Sequence, residues 1–119
     1  MKNDFGGHDN HAHDNVYLYI GQGFGICNQW SGHEDYFYNN HVIQNNDGNY
    51  ANGACTDGDP HNAKTIVYNN TIYTPTADVT ECGMTLAEWQ AKGNDPMTTA
   101  NVYPDDATLL GLARNVLGM

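Results

Sequence analysis

The sequence predicts an all-β chain: about three stacked coils of a parallel β-solenoid, closed by a short helical cap at the C-terminus. The main observation is a repeat. Asp35-Tyr36-Phe37-Tyr38-Asn39-Asn40-His41-Val42-Ile43-Gln44 returns as Thr65-Ile66-Val67-Tyr68-Asn69-Asn70-Thr71-Ile72-Tyr73-Thr74, with Tyr38 and Tyr68 30 residues apart. A fainter copy, His11-Ala12-His13-Asp14-Asn15-Val16-Tyr17-Leu18, precedes them, and its Asn15 stands 25 residues before Asn40. The two clear copies each read as a short run of β-branched and aromatic residues, an Asn-Asn corner, and a second short run. The other observation is a pair of capped amphipathic segments after residue 83. The chain is read as one domain, residues 1–83 forming coils with long loops and residues 84–119 the helical cap.

The corner asparagines have a physical reason. Asn tolerates left-handed backbone, and its short amide reaches nearby backbone groups. Stacked amides can also bond the coil above and below, as an asparagine ladder. In this register Ala12, Phe37 and Val67 point inward. His13, Tyr38 and Tyr68 point outward, as do His11, Tyr36 and Ile66. Val42 lies over Ile72, and either Val16 or Tyr17 takes the equivalent place in the first copy.

Val16-Tyr17-Leu18-Tyr19-Ile20 is a strand run that extends past the first copy, and Ile26-Cys27 reads as a short third strand. The glycines of Gly21-Gln22-Gly23-Phe24-Gly25 complete no dinucleotide fingerprint and serve close backbone packing or a bend. Residues 45–64 read as a long excursion with Asp47-Gly48 and Asp57-Gly58 turns. Residues 76–83 read as linker. Thr85 with Glu88 makes a capping box for a helix ending at Gly93, with Leu86 and Trp89 on one face. A second helix runs from Asp106 to Leu117, capped by Asp105 and stopped by Gly118. Its Leu109, Leu112, Ala113 and Val116 form one apolar face.

Composition excludes several partners. The chain of 119 residues carries a net charge of −10, with Lys2, Lys64, Lys92 and Arg114 as its fixed cations. A nucleic-acid backbone or an anionic membrane surface would be repelled. No apolar run is long enough for membrane insertion, and no secretion signal is present in the sequence. Neutral glycans fit the charge, and a polyuronate would need a bridging cation. The three cysteines, Cys27, Cys55 and Cys82, form no CxxC pair, and Cys55–Cys82 is the first pairing to expect among three.

Several residues are candidates for chemistry. Trp30, Tyr36, Tyr38 and Tyr68 offer aromatic faces for a sugar, with His33 and Asn45 as polar partners. Trp30 suits the edge of the solenoid core better than a sugar platform, because large aromatics usually act through burial. His33 and Asp35, with His11 and His13, are the candidates for acid–base catalysis. His11, His13 and Asp14, near His8 and Asp9, are candidate ligands for Zn²⁺, Cu²⁺ or Ni²⁺. The same residues also read as solvated turns and strand faces.

The coil motif, apolar-x-Asn-Asn-x-apolar, resembles that of right-handed parallel β-helices of the pectin-lyase-like fold. Leu86-Ala87-Glu88-Trp89-Gln90-Ala91-Lys92-Gly93-Asn94-Asp95-Pro96 is similar to a tail that follows the last coil in that family. The resemblance implies a secreted or cell-surface protein that binds or cleaves polysaccharides, with Ca²⁺ as the cofactor of its lyases. The family's lyase and glycosidase motifs do not appear in this sequence. The expectation is a carbohydrate-associated β-helix segment, extracellular, and the C-terminal part of a longer β-helix. The rival readings are a polysaccharide lyase or glycoside hydrolase and a purely structural solenoid.

Overall fold

The structure, a computed structural model, describes residues 2–3, 9–26, 32–53 and 65–119. In chain order the strands are β1 (Lys2–Asn3), β2 (His11–His13), β3 (Val16–Ile20), β4 (Phe24–Ile26), β5 (Tyr36–Tyr38), β6 (His41–Gln44), β7 (Gly48–Gly53), β8 (Ile66–Tyr68), β9 (Thr71–Thr74), β10 (Val79–Glu81) and β11 (Met84–Thr85). Helix α1 (Leu86–Ala91), strand β12 (Thr99–Val102) and helix α2 (Asp106–Leu117) complete the described chain.

The strands form three sheets. The first has the order β1-β4-β7-β10-β11, the second β12-β9-β6-β3 and the third β2-β5-β8. All pairings are parallel except β10 with β11, which are antiparallel. Their inward faces meet in one core containing Phe24, Phe37, Val42, Tyr50, Val67, Ile72, Val79 and Leu86.

This corrects the expected all-β right-handed parallel β-helix of about three coils with a short helical cap. The described residues form a small domain of short parallel strands in three unequal sheets with two helices, rather than that single solenoid. The C-terminal segment is not simply a cap, because β11 and β12 within it join two of the sheets. Nor does α2 close an end. It buries no residue, packs along β3, and leaves Val116 51% exposed. Tyr103, just before it, donates its hydroxyl to the Gln44 carbonyl and meets Tyr19 edge-on. Residues 76–83 and 45–53 are likewise not mere connection, since β10 and β7 lie there and pair with each other.

The register inside the repeat is the expected one. Ala12 pairs with Phe37 and Phe37 with Val67, while Val42 pairs with Ile72. Tyr17, not Val16, lies beside Val42 and stacks on Phe37 at 5.9 Å. Gly23 shows why a glycine precedes β4. A Cβ there would sit 2.7 Å from the ring of the fully buried Tyr50.

The corners are held by a ladder of side chains. Asn40 Oδ1 accepts from the Asn15 amide N–H at 3.0 Å, and Asn70 Oδ1 accepts from the Asn40 N–H at 2.9 Å. The Asn70 N–H donates to the Thr98 hydroxyl oxygen at 3.0 Å. The residue before each rung is left-handed: Asp14, Asn39, Asn69 and Met97 have φ of 55°, 55°, 53° and 63°. A methionine is strained there, and this one is 68% exposed. Asn69 Nδ2 donates to Asn39 Oδ1 at 2.8 Å, so an outer amide file already runs toward Met97. Met97→Asn is expected to stabilise the protein by about 1 kcal/mol by relieving the left-handed strain. Thermal melting checks it, and an unchanged or lower Tm counts against this reading of the corner.

Both helix starts follow local sequence. Thr85 caps α1 through a complete capping box with Glu88, and Leu86 and Trp89 are its buried residues. Asp105 caps α2 by accepting from the Thr108 N–H at 2.7 Å, and Gly118 ends it in left-handed conformation. Cys82 is disulfide-bonded. Cys27 and Cys55 lie outside the described residues, so the expected Cys55–Cys82 pairing does too.

Candidate functional site

The third sheet carries five of the nominated residues, His11, His13, Tyr36, Tyr38 and Tyr68, on its outer face. Residues alternate across a strand, so burying Phe37 and Val67 turns Tyr36, Tyr38, Ile66 and Tyr68 outward. Parallel pairing then sets like side chains one strand apart. His13, Tyr38 and Tyr68 form one file, each neighbouring pair of rings stacked at 4.9 Å and within 5° of parallel. His11 stacks on Tyr36 at 4.3 Å and touches Tyr38 edge-on. The separation of the first file is that of adjacent strands, about 4.8 Å.

This geometry changes how the rings can act. The flat faces of Tyr38 are taken by His13 and Tyr68, so a sugar cannot lie on them. The outer face offers ring edges, phenol hydroxyls and imidazole nitrogens instead. These are directional hydrogen-bonding groups on an apolar, pre-ordered base.

Two histidine–aspartate pairs belong to the same region. His13 Nδ1 lies 2.5 Å from Asp14 Oδ2, and His33 Nδ1 lies 2.7 Å from Asp9 Oδ2, with all four side chains largely exposed. Where Nδ1 donates its proton to the carboxylate, Nε2 carries the lone pair and can accept a proton. Backbone bonds attach His33 to this sheet, since the Asp9 N–H donates to the His33 carbonyl and the Tyr36 N–H to the Asn10 carbonyl.

The remaining nominations fall elsewhere. Asp35 is fully buried. Its Oδ1 accepts from the Asn10 backbone N–H at 2.8 Å and from Asn10 Nδ2 at 3.0 Å. It therefore acts as a rung between neighbouring chain segments, while His33 pairs with Asp9. Asn45 is on the corner after β6, off the ring-bearing sheet, and accepts from Asn46 Nδ2 at 2.6 Å. Trp30 and His8 lie outside the described residues. Among the described residues, no three His, Cys, Asp or Glu side chains gather as metal ligands. His11, His13 and Asp14 share an edge, but His13 and Asp14 are engaged with each other. The His33–Asp9 pair had no signal in the sequence, because its members are 24 residues apart.

No protein-family model, no curated protein and no solved structure matches the chain. The resemblance to pectin-lyase-like β-helices gains nothing from those comparisons.

Proposed function

We propose that the outer face of the third sheet binds a neutral polysaccharide, with Tyr36, Tyr38, Tyr68, His11 and His13 as its contacts. The carrying observation is the pair of ring files, which sets hydroxyls and imidazoles in rows with the period of the strands. That period is comparable with the length of one sugar ring, so a chain laid across the strands meets a similar group at each step. Stacking fixes the rings beforehand, which lowers the entropy lost on binding. The charge of −10 disfavours polyanionic glycans. A disulfide at Cys82 fits an oxidising compartment, so we place this binding outside the cell.

The test keeps the stack and removes the hydroxyls. Tyr36→Phe, Tyr38→Phe and Tyr68→Phe combined are expected to weaken binding to a neutral polysaccharide at least about tenfold, roughly 1.4 kcal/mol. Affinity electrophoresis against a panel of such glycans measures it. Equal affinity of the triple variant and the parent, at matched Tm, would sink the proposal.

A catalytic reading has one observation in its favour, the His33–Asp9 pair beside the binding face. It requires product from a neutral polysaccharide, lost in His33→Ala with binding retained. Absence of product across the same glycan panel removes that reading.

A further inference from the structure

A second polar cluster lies away from the ring face, inside the core. Glu81 on β10 and Asp95, between α1 and β12, are 2% and 3% exposed, and Tyr50 on β7 is fully buried. Apart from what the two carboxyls offer each other, the Tyr50 hydroxyl, Glu81 Oε2 and Asp95 Oδ2 have no hydrogen-bond partner among the described residues. Among the described residues, neither carboxyl has a Lys, Arg or His partner. Two uncompensated carboxylates side by side in a core would be strongly unfavourable, so such a pair survives by holding a proton.

We infer that the Glu81–Asp95 pair is a proton-operated lock, which holds residues 95–98 on the core while it keeps its proton and loosens them when it loses it. The cluster sits where the chain's last corner is fastened. The Thr98 hydroxyl donates to Asp95 Oδ1 and accepts from the Asn70 N–H. Gln90 Nε2, on α1, donates to the Asp95 carbonyl at 3.0 Å and the Thr98 carbonyl at 2.8 Å. A second negative charge here would be repelled directly against those bonds.

Among the described residues, the side chains that act electrostatically on the pair come from β7 and α1, apart from the Thr98 hydroxyl. Beta strand β7 contributes Tyr50, whose hydroxyl burial pushes well above its ordinary range, helped by the charges of Asp95 and Glu81. Helix α1 contributes the Trp89 indole, which does not titrate. Burial first, and then Asp95, pushes the Glu81 carboxyl up to about 10, against the opposing Trp89 hydrogen bond. Asp95 is also raised, by burial, while bonds to Glu81 and Thr98 pull it down. Glu81 is thus the proton holder and Asp95 its acceptor. A carboxyl raised on folding contributes stability that is complete below its unfolded value and declines as pH rises toward the folded one.

The experiment is thermal melting of the full chain between about pH 5 and pH 9, where the parent Tm is expected to fall by roughly 10 °C. Glu81→Gln is expected to flatten most of that slope, because the amide stays neutral. An unchanged slope in that variant overturns the lock. A parent Tm at the alkaline end that Ca²⁺ raises and a chelator lowers would also overturn it, in favour of a cation between the carboxyls. Should Glu81→Gln fail to fold, the side-chain carboxyl carbon resonance of Glu81 in the parent decides. Titration above about pH 8 supports the lock, and a midpoint near the ordinary value of roughly 4.3 refutes it.

Discussion

Asn70→Ala is expected to destabilise the protein by about 2–4 kcal/mol, because one buried backbone N–H loses its partner and one buried carbonyl loses its second donor. Asn70 Oδ1 accepts from the buried Asn40 N–H at 2.9 Å, and Asn70 Nδ2 donates to the Phe37 carbonyl at 3.1 Å. Both bonds span more than a strand's length of sequence, so no neighbour replaces them. Water cannot, because Asn40 and Asn70 are each 1% exposed. Asn70→Asp separates the two halves of the effect. It keeps the acceptor for Asn40 and loses the donor to Phe37, so it should cost less than alanine unless the buried charge dominates. Chemical denaturation of both variants measures this. A cost for alanine under about 1 kcal/mol would mean that the ladder is incidental to stability.

Phe37→Ala is expected to cost about 3–5 kcal/mol, a large fraction of the stability of a domain this size. Phe37 is fully buried, and its ring meets Phe24 at 5.0 Å, Tyr17 at 5.9 Å and Tyr50 at 6.3 Å. It therefore joins residues from four strands, and its loss leaves a cavity that no single strand can close. The adjacent Tyr38 gives the contrast. Tyr38→Ala removes an outward ring whose stacking contributes about 0.5–1.5 kcal/mol. Unfolding of the Tyr38 variant together with tolerance of the Phe37 variant would reverse the assignment of the two faces of β5.

Much of this was legible along the chain. Alternation in Tyr36-Phe37-Tyr38 and Ile66-Val67-Tyr68, aligned by their Asn-Asn corners, sufficed to place Phe37 over Val67 and Tyr38 beside Tyr68. The corner ladder followed from the chemistry of asparagine. The two helices were readable because caps and apolar spacing act within a few residues. Strands β10 and β12 were not. Val79-Thr80-Glu81 ends in a carboxylate and Thr99-Ala100-Asn101-Val102 has weak strand preference, so each is a strand because β7 and β9 offer it a partner. The same applies to the site. The tyrosine faces were nominated as sugar platforms, and only the stacking shows that both faces of Tyr38 and one face each of Tyr36 and Tyr68 are already covered.

By itself, then, the sequence determined the faces of the repeat strands, the asparagine corners, both helices and the negative charge that disfavours anionic partners. These depend on period, local hydrogen bonding and composition. Tertiary structure decided that the strands divide among three sheets, that α2 flanks β3, that Asp35 is a buried rung, and that His33 meets Asp9. It also decided that Glu81 and Asp95 share one buried site. Each of those depends on which distant segments come within a few ångströms, where burial and partner, rather than residue type, set what a side chain does.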